Sequence, residues 1–136
     1  MNGMEGKLNG SPLAAVLEYL AMKLYGWDHV EKEQVTPLLA RQVIHGEKMT
    51  VALIHLRKGA IVPMHQHEHE QCSTVQRGRI HFVVVGEEAM LQAGDVLVIP
   101  PGAPHTVEAL EDSLVLDMFS PARDDWQRGD DAYLRR

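Results

Sequence analysis

Cysteine is nearly absent from this chain. Cys72 is the one thiol in 136 residues, so no intramolecular disulfide can form. That suits a reducing compartment, here expected to be the cytoplasm. Long apolar runs are missing: none approaches the roughly 20 residues that span a bilayer, so no membrane partner is expected. Met1-Asn2-Gly3-Met4-Glu5-Gly6-Lys7 lacks the basic start and long apolar centre of a signal peptide. A basic stripe is missing too. Lys and Arg number 13 against 19 Asp and Glu, a net charge of -6, which argues against nucleic acid as a partner. There is no internal repeat beyond two related strand-turn units, and no low-complexity segment. The length argues for one domain with one core, and a hydrophobic fraction of 45% is ordinary for a folded soluble chain.

Residues 1–26 read as an N-terminal helical extension. Ser11 suits an N-cap and Pro12 the first helical position. Leu13, Val16, Leu17, Leu20 and Leu24 recur at helical spacing, and Gly26 is placed to stop the helix. So apolar a helix must pack on its own barrel or on a second subunit, and a homodimer is expected. Met22 precedes Lys23-Leu24-Tyr25-Gly26-Trp27, which reads well as a start. Residues 1–21 are therefore an added extension, a misassigned start or native sequence, three alternatives the sequence leaves open.

From about residue 42 the pattern changes to short strands punctuated by glycine and proline. Thr50 to Leu56, Cys72 to Val75, Ile80 to Val85, Met90-Leu91, Val96 to Ile99, His105 to Ala109 and Ser113 to Phe119 read as strands. An all-β sandwich or barrel over residues 27–123 is expected. Residues 124–136 read as a polar tail, with Asp124-Asp125 and Asp130-Asp131 as solvated charges and Trp126, like Trp27, as a packing anchor.

The chemistry lies in two segments. His65 and His67 are one residue apart, and in a β-strand alternate side chains leave on one face. His105 follows the stiff turn Pro100-Pro101-Gly102. Three imidazoles with a Gln or Glu oxygen make a coordination shell for a divalent transition metal such as Zn, Ni, Mn or Fe. Spacing favours Gln71 as the fourth ligand, because Glu70 is one residue off and faces away in a regular strand. A neutral amide in that place leaves the full charge of the metal uncancelled, which favours an anionic substrate. His69 belongs behind the ligands or in solvent. His29, His45, His55 and His81 read as ordinary strand or surface histidines, and Cys72 as a buried thiol facing away from the metal.

Gly59, His65, His67, Gln71 and Gly78, with Gly94, Pro100, Gly102, His105 and Ala109, resemble the two motifs of the cupin superfamily in spacing throughout. Two identities depart: Gln71 stands where an acidic ligand is usual, and Ala109 where an Asn is. The resemblance implies a small antiparallel β-barrel or jelly roll with a metal inside one mouth.

Near the end of the last strand, Asp117 and Phe119 share a face, and Arg123 follows a Pro121 turn. Such residues are also common at strand ends and surfaces. Yet Asp117-Met118-Phe119-Ser120-Pro121-Ala122-Arg123, placed after three His and a Gln, is similar to the small pectin-degradation cupins, which linearise 4,5-unsaturated uronate monosaccharides. That resemblance implies metal ligation by His65, His67, Gln71 and His105. It implies proton transfer by Asp117, carboxylate binding by Arg123 and an apolar wall from Phe119. The expected function is therefore ring opening or isomerisation of a small anionic sugar. An Fe(II)-type dioxygenase, a non-catalytic module that captures a small acid, and a polyketide-cyclase-like role are the alternatives.

Overall fold

Strand β3 (Thr50–Leu56) shows how the chain sorts its faces. Thr50, Ala52, Ile54 and Leu56 are buried, while Val51 and His55 between them are half-buried on the opposite face. The computed structural model describes residues 21–136. Within them the chain forms β1 (Glu33–Thr36), β2 (Leu39–His45), β3, β4 (Ile61–His65), β5 (Glu70–Arg77), β6 (Arg79–Val84), β7 (Glu87–Gln92), β8 (Val96–Ile99), β9 (His105–Ala109) and β10 (Ser113–Ser120). All pairings are antiparallel. They build a six-stranded sheet in the order β1-β2-β3-β10-β5-β8 and a four-stranded sheet in the order β4-β9-β6-β7. This is an all-β jelly roll, as expected.

Between the sheets lies one core, with Ile80 and Ile99 fully buried and Phe82, Val75 and Val115 around them. Burying each such side chain is worth about 1.5–3 kcal/mol. Gly78 has φ of 93°, and a methyl group there would collide with Ser113 Oγ and the Asp112 carbonyl oxygen, so only glycine lets β5 turn into β6. No helix among the described residues is long and apolar enough to cross a membrane.

The hairpin between β6 and β7 carries a local misfit. Val84 pairs with Glu87, leaving Val85-Gly86 as a two-residue turn with φ of 48° and 80°. Two left-handed residues are the signature of a type I′ turn, which favours Asn-Gly; a β-branched side chain is strained there. Val85 is also exposed. Val85→Asn is therefore expected to stabilise the fold by about 1 kcal/mol, read as a rise in thermal midpoint of a few degrees. An unchanged or lower midpoint would count against the strain.

Two expectations are revised. The helix read over Ser11 to Gly26 lies largely outside the described residues. Residues 21–26 carry no regular structure, and Leu24 is 96% exposed, so the helical face does not extend to it. Gly26 instead precedes a short 3-10 turn, Trp27–His29.

The tail is folded back rather than solvated. A one-turn helix α1 (Asp124–Gln127) and a 3-10 turn (Ala132–Arg135) bury Trp126 and Leu134 in the core. Asp131 is only 3% exposed because Arg41 and Arg135 hydrogen-bond its carboxylate. Its pairing with Arg41 spans 90 residues of sequence, which is why the local pattern does not show it. Asp125 is likewise paired, with Arg123. Trp126 acts as the expected packing anchor, and Trp27 is half-buried.

Candidate metal centre

Strand pairing creates the site. His65 ends β4, His105 begins β9, and the two are direct partners in the register, with ring centroids 4.2 Å apart. His67 lies two residues beyond the end of β4, so strand alternation does not place it. A hydrogen bond from its Nδ1 to the His69 carbonyl oxygen does, at 3.1 Å. His65 and His105 are held the same way, by Nδ1 bonds of 2.8 Å to the carbonyl oxygens of Pro63 and Ala103. A carbonyl oxygen only accepts, so the proton of each neutral ring is assigned to Nδ1. The Nε2 lone pair is left free.

One ligand atom from each of the three histidines lies within 4.8 Å of the other two. His105 Nε2 is buried with no partner among the described residues, a costly state for a polar atom. Gln71 Oε1 sits 3.1 Å from His67 Nε2. The Gln71 amide nitrogen is turned the other way, donating to Ser73 Oγ at 3.0 Å. Two lone pairs therefore face each other, an arrangement a cation between them relieves. Desolvation is the main cause that pulls the histidines down, His65 to about 4 and His67 to about 3, with His105 lowered as well. Neighbouring imidazoles and Arg123 add to it at His65 and His67, and Arg123 at His105. The rings are neutral at ordinary pH, the form that binds metal. The donor set fits a divalent transition ion, and three histidines could hold one.

Behind the ligands runs a polar chain. Ser73 Oγ accepts from Gln71 and donates to Asp117 Oδ1 at 2.5 Å. β5 and β10 supply it in register, Ser73 opposite Asp117 and Gln71 opposite Phe119. Asp117 is partly buried and shares the inward-facing side of β10 with Val115 and Phe119. Desolvation pushes its carboxyl up to about 6, against the opposing pull of Ser73, Gln71 and Arg123. A carboxylate at position 71 would lack the amide donor and repel Asp117, which gives the departure from an acidic ligand a physical reason.

Phe119 is buried, and its ring meets that of His67 edge-on at 5.8 Å. Arg123 does not hang over the mouth. It is 1% exposed, stacked on Phe119 at 4.6 Å and on Trp126 at 4.3 Å. Its Nε and Nη2 grip Asp125 at 2.9 and 2.8 Å, and Nη2 also donates to Tyr133 Oη at 2.8 Å. Among the described residues Nη1 alone makes no hydrogen bond.

The structure thus brings together all seven sequence-read site residues. Glu70 is exposed, whereas Gln71 is buried. His69 is buried rather than solvated, its Nε2 4.0 Å from Asp125 and its ring 5.3 Å from that of His67. Cys72 faces away from the metal but is half-exposed rather than buried. His45, His55 and His81 pair locally with Thr50, Gln42 and Glu88. Sequence reasoning missed Ser73, Asp125 and Tyr133. Ser73 was within reach, since it shares strand parity with Gln71; the other two depend on the folded-back tail.

Comparison with known proteins agrees with this geometry. A family model described as Cupin domain matches residues 52–120. KdgF from Halomonas sp. is 33% identical, with 78% of this chain and 99% of that one covered at a TM-score of 0.74. An RmlC-like cupin from Shewanella frigidimarina is 31% identical, with 78% and 96% covered at 0.73. An oxalate decarboxylase from Bacillus subtilis, 17% identical with 74% and 31% covered at 0.65, shares the fold. No curated protein matches the sequence.

Proposed function

The chain belongs to the cupin family, and on that premise we propose that it is a metal-dependent enzyme that opens the ring of a small unsaturated uronate. Support comes from its similarity to KdgF of Halomonas sp. and from its likeness to the pectin-degradation cupins at Asp117, Phe119 and Arg123. The observation that carries the reading is the placement of Asp117: an inward-facing carboxyl wired through Ser73 to Gln71.

His65, His67, Gln71 and His105 would hold the ion. When bound, a divalent cation supplies Lewis acidity toward a substrate oxygen. Linearising a 4,5-unsaturated uronate is an isomerisation. The anomeric hydroxyl loses a proton as the bond from C1 to the ring oxygen breaks, and C4 gains a proton as the enol becomes a ketone. One proton leaves and one arrives, so a single carboxyl group can serve both ends, and Asp117 is that group. Ser73 Oγ–H fixes Oδ1, and Oδ2 would be the oxygen that meets the substrate. Arg123 is fastened by Asp125 and offers Nη1 and its positive charge to the substrate carboxylate. Phe119 walls the cleft and excludes water.

A homodimer belongs to the same proposal. On the outer face of the six-stranded sheet, Met118, Cys72 and Val98 form one cross-strand row, and Leu116, Thr74 and Val96 the next. Val96 and Val98 are 59% and 58% exposed, and a second copy would cover them.

The test is to load the purified protein with Zn, Ni, Mn or Fe(II) and supply a lyase-generated unsaturated uronate. Loss of the ultraviolet absorbance of the double bond, with a linear keto product, is expected. An intact double bond with every metal would overturn the reading, and oxygen uptake by the Fe(II) form would replace it with the dioxygenase alternative.

A further inference from the structure

Five side chains close a ring of contacts beside the histidine site. The His65 ring stacks on Tyr133, centroids 4.4 Å apart and planes 21° from parallel. Tyr133 Oη accepts from Arg123 Nη2 at 2.8 Å. Arg123 lies 4.6 Å from the Phe119 ring centre, Phe119 meets His67 at 5.8 Å, and His67 returns to His65 at 5.7 Å. Four of the five come from the barrel or its immediate exit; Tyr133 alone comes from the folded-back tail. Its position is fixed on both sides, by the Asp131 pairing with Arg41 before it and by buried Leu134 after it.

The hydrogen-bond count at this phenol is incomplete in an informative way. Tyr133 Oη accepts from Arg123 Nη2 and also from Trp126 Nε1 at 3.1 Å. Two donors occupy the lone pairs of the phenol oxygen, so what it has left to offer is its own O–H. No described residue takes that proton. Protein donors thus hold the hydroxyl in place from behind, while its hydrogen is left for an oxygen that arrives from elsewhere. The same chain of contacts holds His65 and His67, two of the histidines whose ligand atoms converge.

We infer that Tyr133 is a substrate-binding residue whose hydroxyl donates a hydrogen bond to an oxygen of the sugar acid. This rests on the uronate reading for the identity of the ligand. It gives the tail a functional role: residues 124–136 supply one wall of the site and the clamp on Arg123. The ring of Tyr133 covers His65, and its hydroxyl selects for a ligand with an oxygen in reach.

The experiment uses the full, metal-loaded chain and Tyr133→Phe, which keeps the stacked ring and removes the hydroxyl. Two quantities are read: kcat and KM for the unsaturated uronate, and the Kd of galacturonate, a saturated uronate with no double bond to isomerise. Loss of one such hydrogen bond is expected to raise Kd and KM on the order of 10-fold, with kcat and metal content little changed and the thermal midpoint lowered by a few degrees, because Trp126 Nε1 loses its acceptor. A purely structural tyrosine would shift the midpoint in the same way and leave the Kd of the loaded protein alone.

Turnover by wild type with equal Kd and KM in Tyr133→Phe overturns the role of Tyr133 and leaves the uronate reading intact. Wild-type binding of galacturonate without turnover, weakened in Tyr133→Phe, overturns the enzymatic reading and supports Tyr133. Absence of both binding and turnover in the wild type overturns both. Should Tyr133→Phe lose metal or fail to fold, the tyrosine ultraviolet difference spectrum of the wild type decides. A red-shifted band on adding galacturonate supports phenol donation, and its absence refutes it.

Discussion

Asp117→Asn is expected to lower uronate turnover roughly 100- to 10,000-fold, the range for removing a positioned acid–base group, while metal stays bound. The substitution is nearly isosteric. Ser73 can still donate to the amide oxygen, so the chain Gln71–Ser73–117 keeps its shape; what disappears is a group able to take up and release a proton. Stability separates this role from a structural one. Burial pushes the Asp117 carboxyl up to about 6, from an ordinary value of 3.8. Its contribution to the metal-free fold is therefore fully present below pH 3.8 and is lost as pH rises through 6. Asn has no such loss. The metal-free variant should match the wild type near pH 3.5 and exceed it at pH 7 by on the order of 2 kcal/mol, allowing for residual solvation. A variant that is inactive but more stable at neutral pH identifies a residue kept for chemistry. Full activity would remove Asp117 from the mechanism, and equal pH–stability curves would remove the strain attributed to its burial.

His105→Ala is expected to weaken metal binding by more than about 100-fold, since even groups behind a metal ligand are worth 10- to 100-fold. His105 Nε2 is a buried lone pair with no partner among the described residues, and its loss also opens space beside His65, its partner in the register. Chelator competition on the purified variant gives the affinity, and circular dichroism checks the sheet. His81→Ala is the control. That histidine is half-buried on β6 and pairs with Glu88, so metal content should not change. Stoichiometric metal in His105→Ala at wild-type affinity would refute the ligand assignment.

Much of the barrel was legible. β3, β8 and β9 have the bounds their sequence pattern suggests, and β10 extends one residue further. The strands that were not read have physical reasons. β2 places Arg41 and Gln42 in buried positions. These interrupt an apolar pattern and are tolerated only because Asp131 neutralises one, while the Trp27 and Val30 carbonyl oxygens accept from the other. β4 contains Pro63, which sheets accept on an edge strand, and β4 is the edge of its sheet. β1 is a short edge strand with little apolar content. The site divides on similar lines. His65, His67, Gln71 and His105 sit at fixed spacings around tight turns, so sequence distance translates into space. Asp117 and Phe119 follow from strand parity. Asp125, Tyr133 and the fastening of Arg123 depend on one long-range closure, anchored at Asp131, and no local pattern encodes it.

That closure has an optical consequence. Trp126 has two guanidinium groups over its ring, Arg41 at 4.7 Å and Arg123 at 4.3 Å, and its indole N–H bonds the same phenol oxygen as Arg123. One of two tryptophans in the chain thus sits in van der Waals and hydrogen-bond contact with the residues that would meet a ligand. Fluorescence of Trp126 will change whenever Arg123 or Tyr133 is repositioned, so the protein carries an intrinsic, label-free reporter of occupancy at its own site.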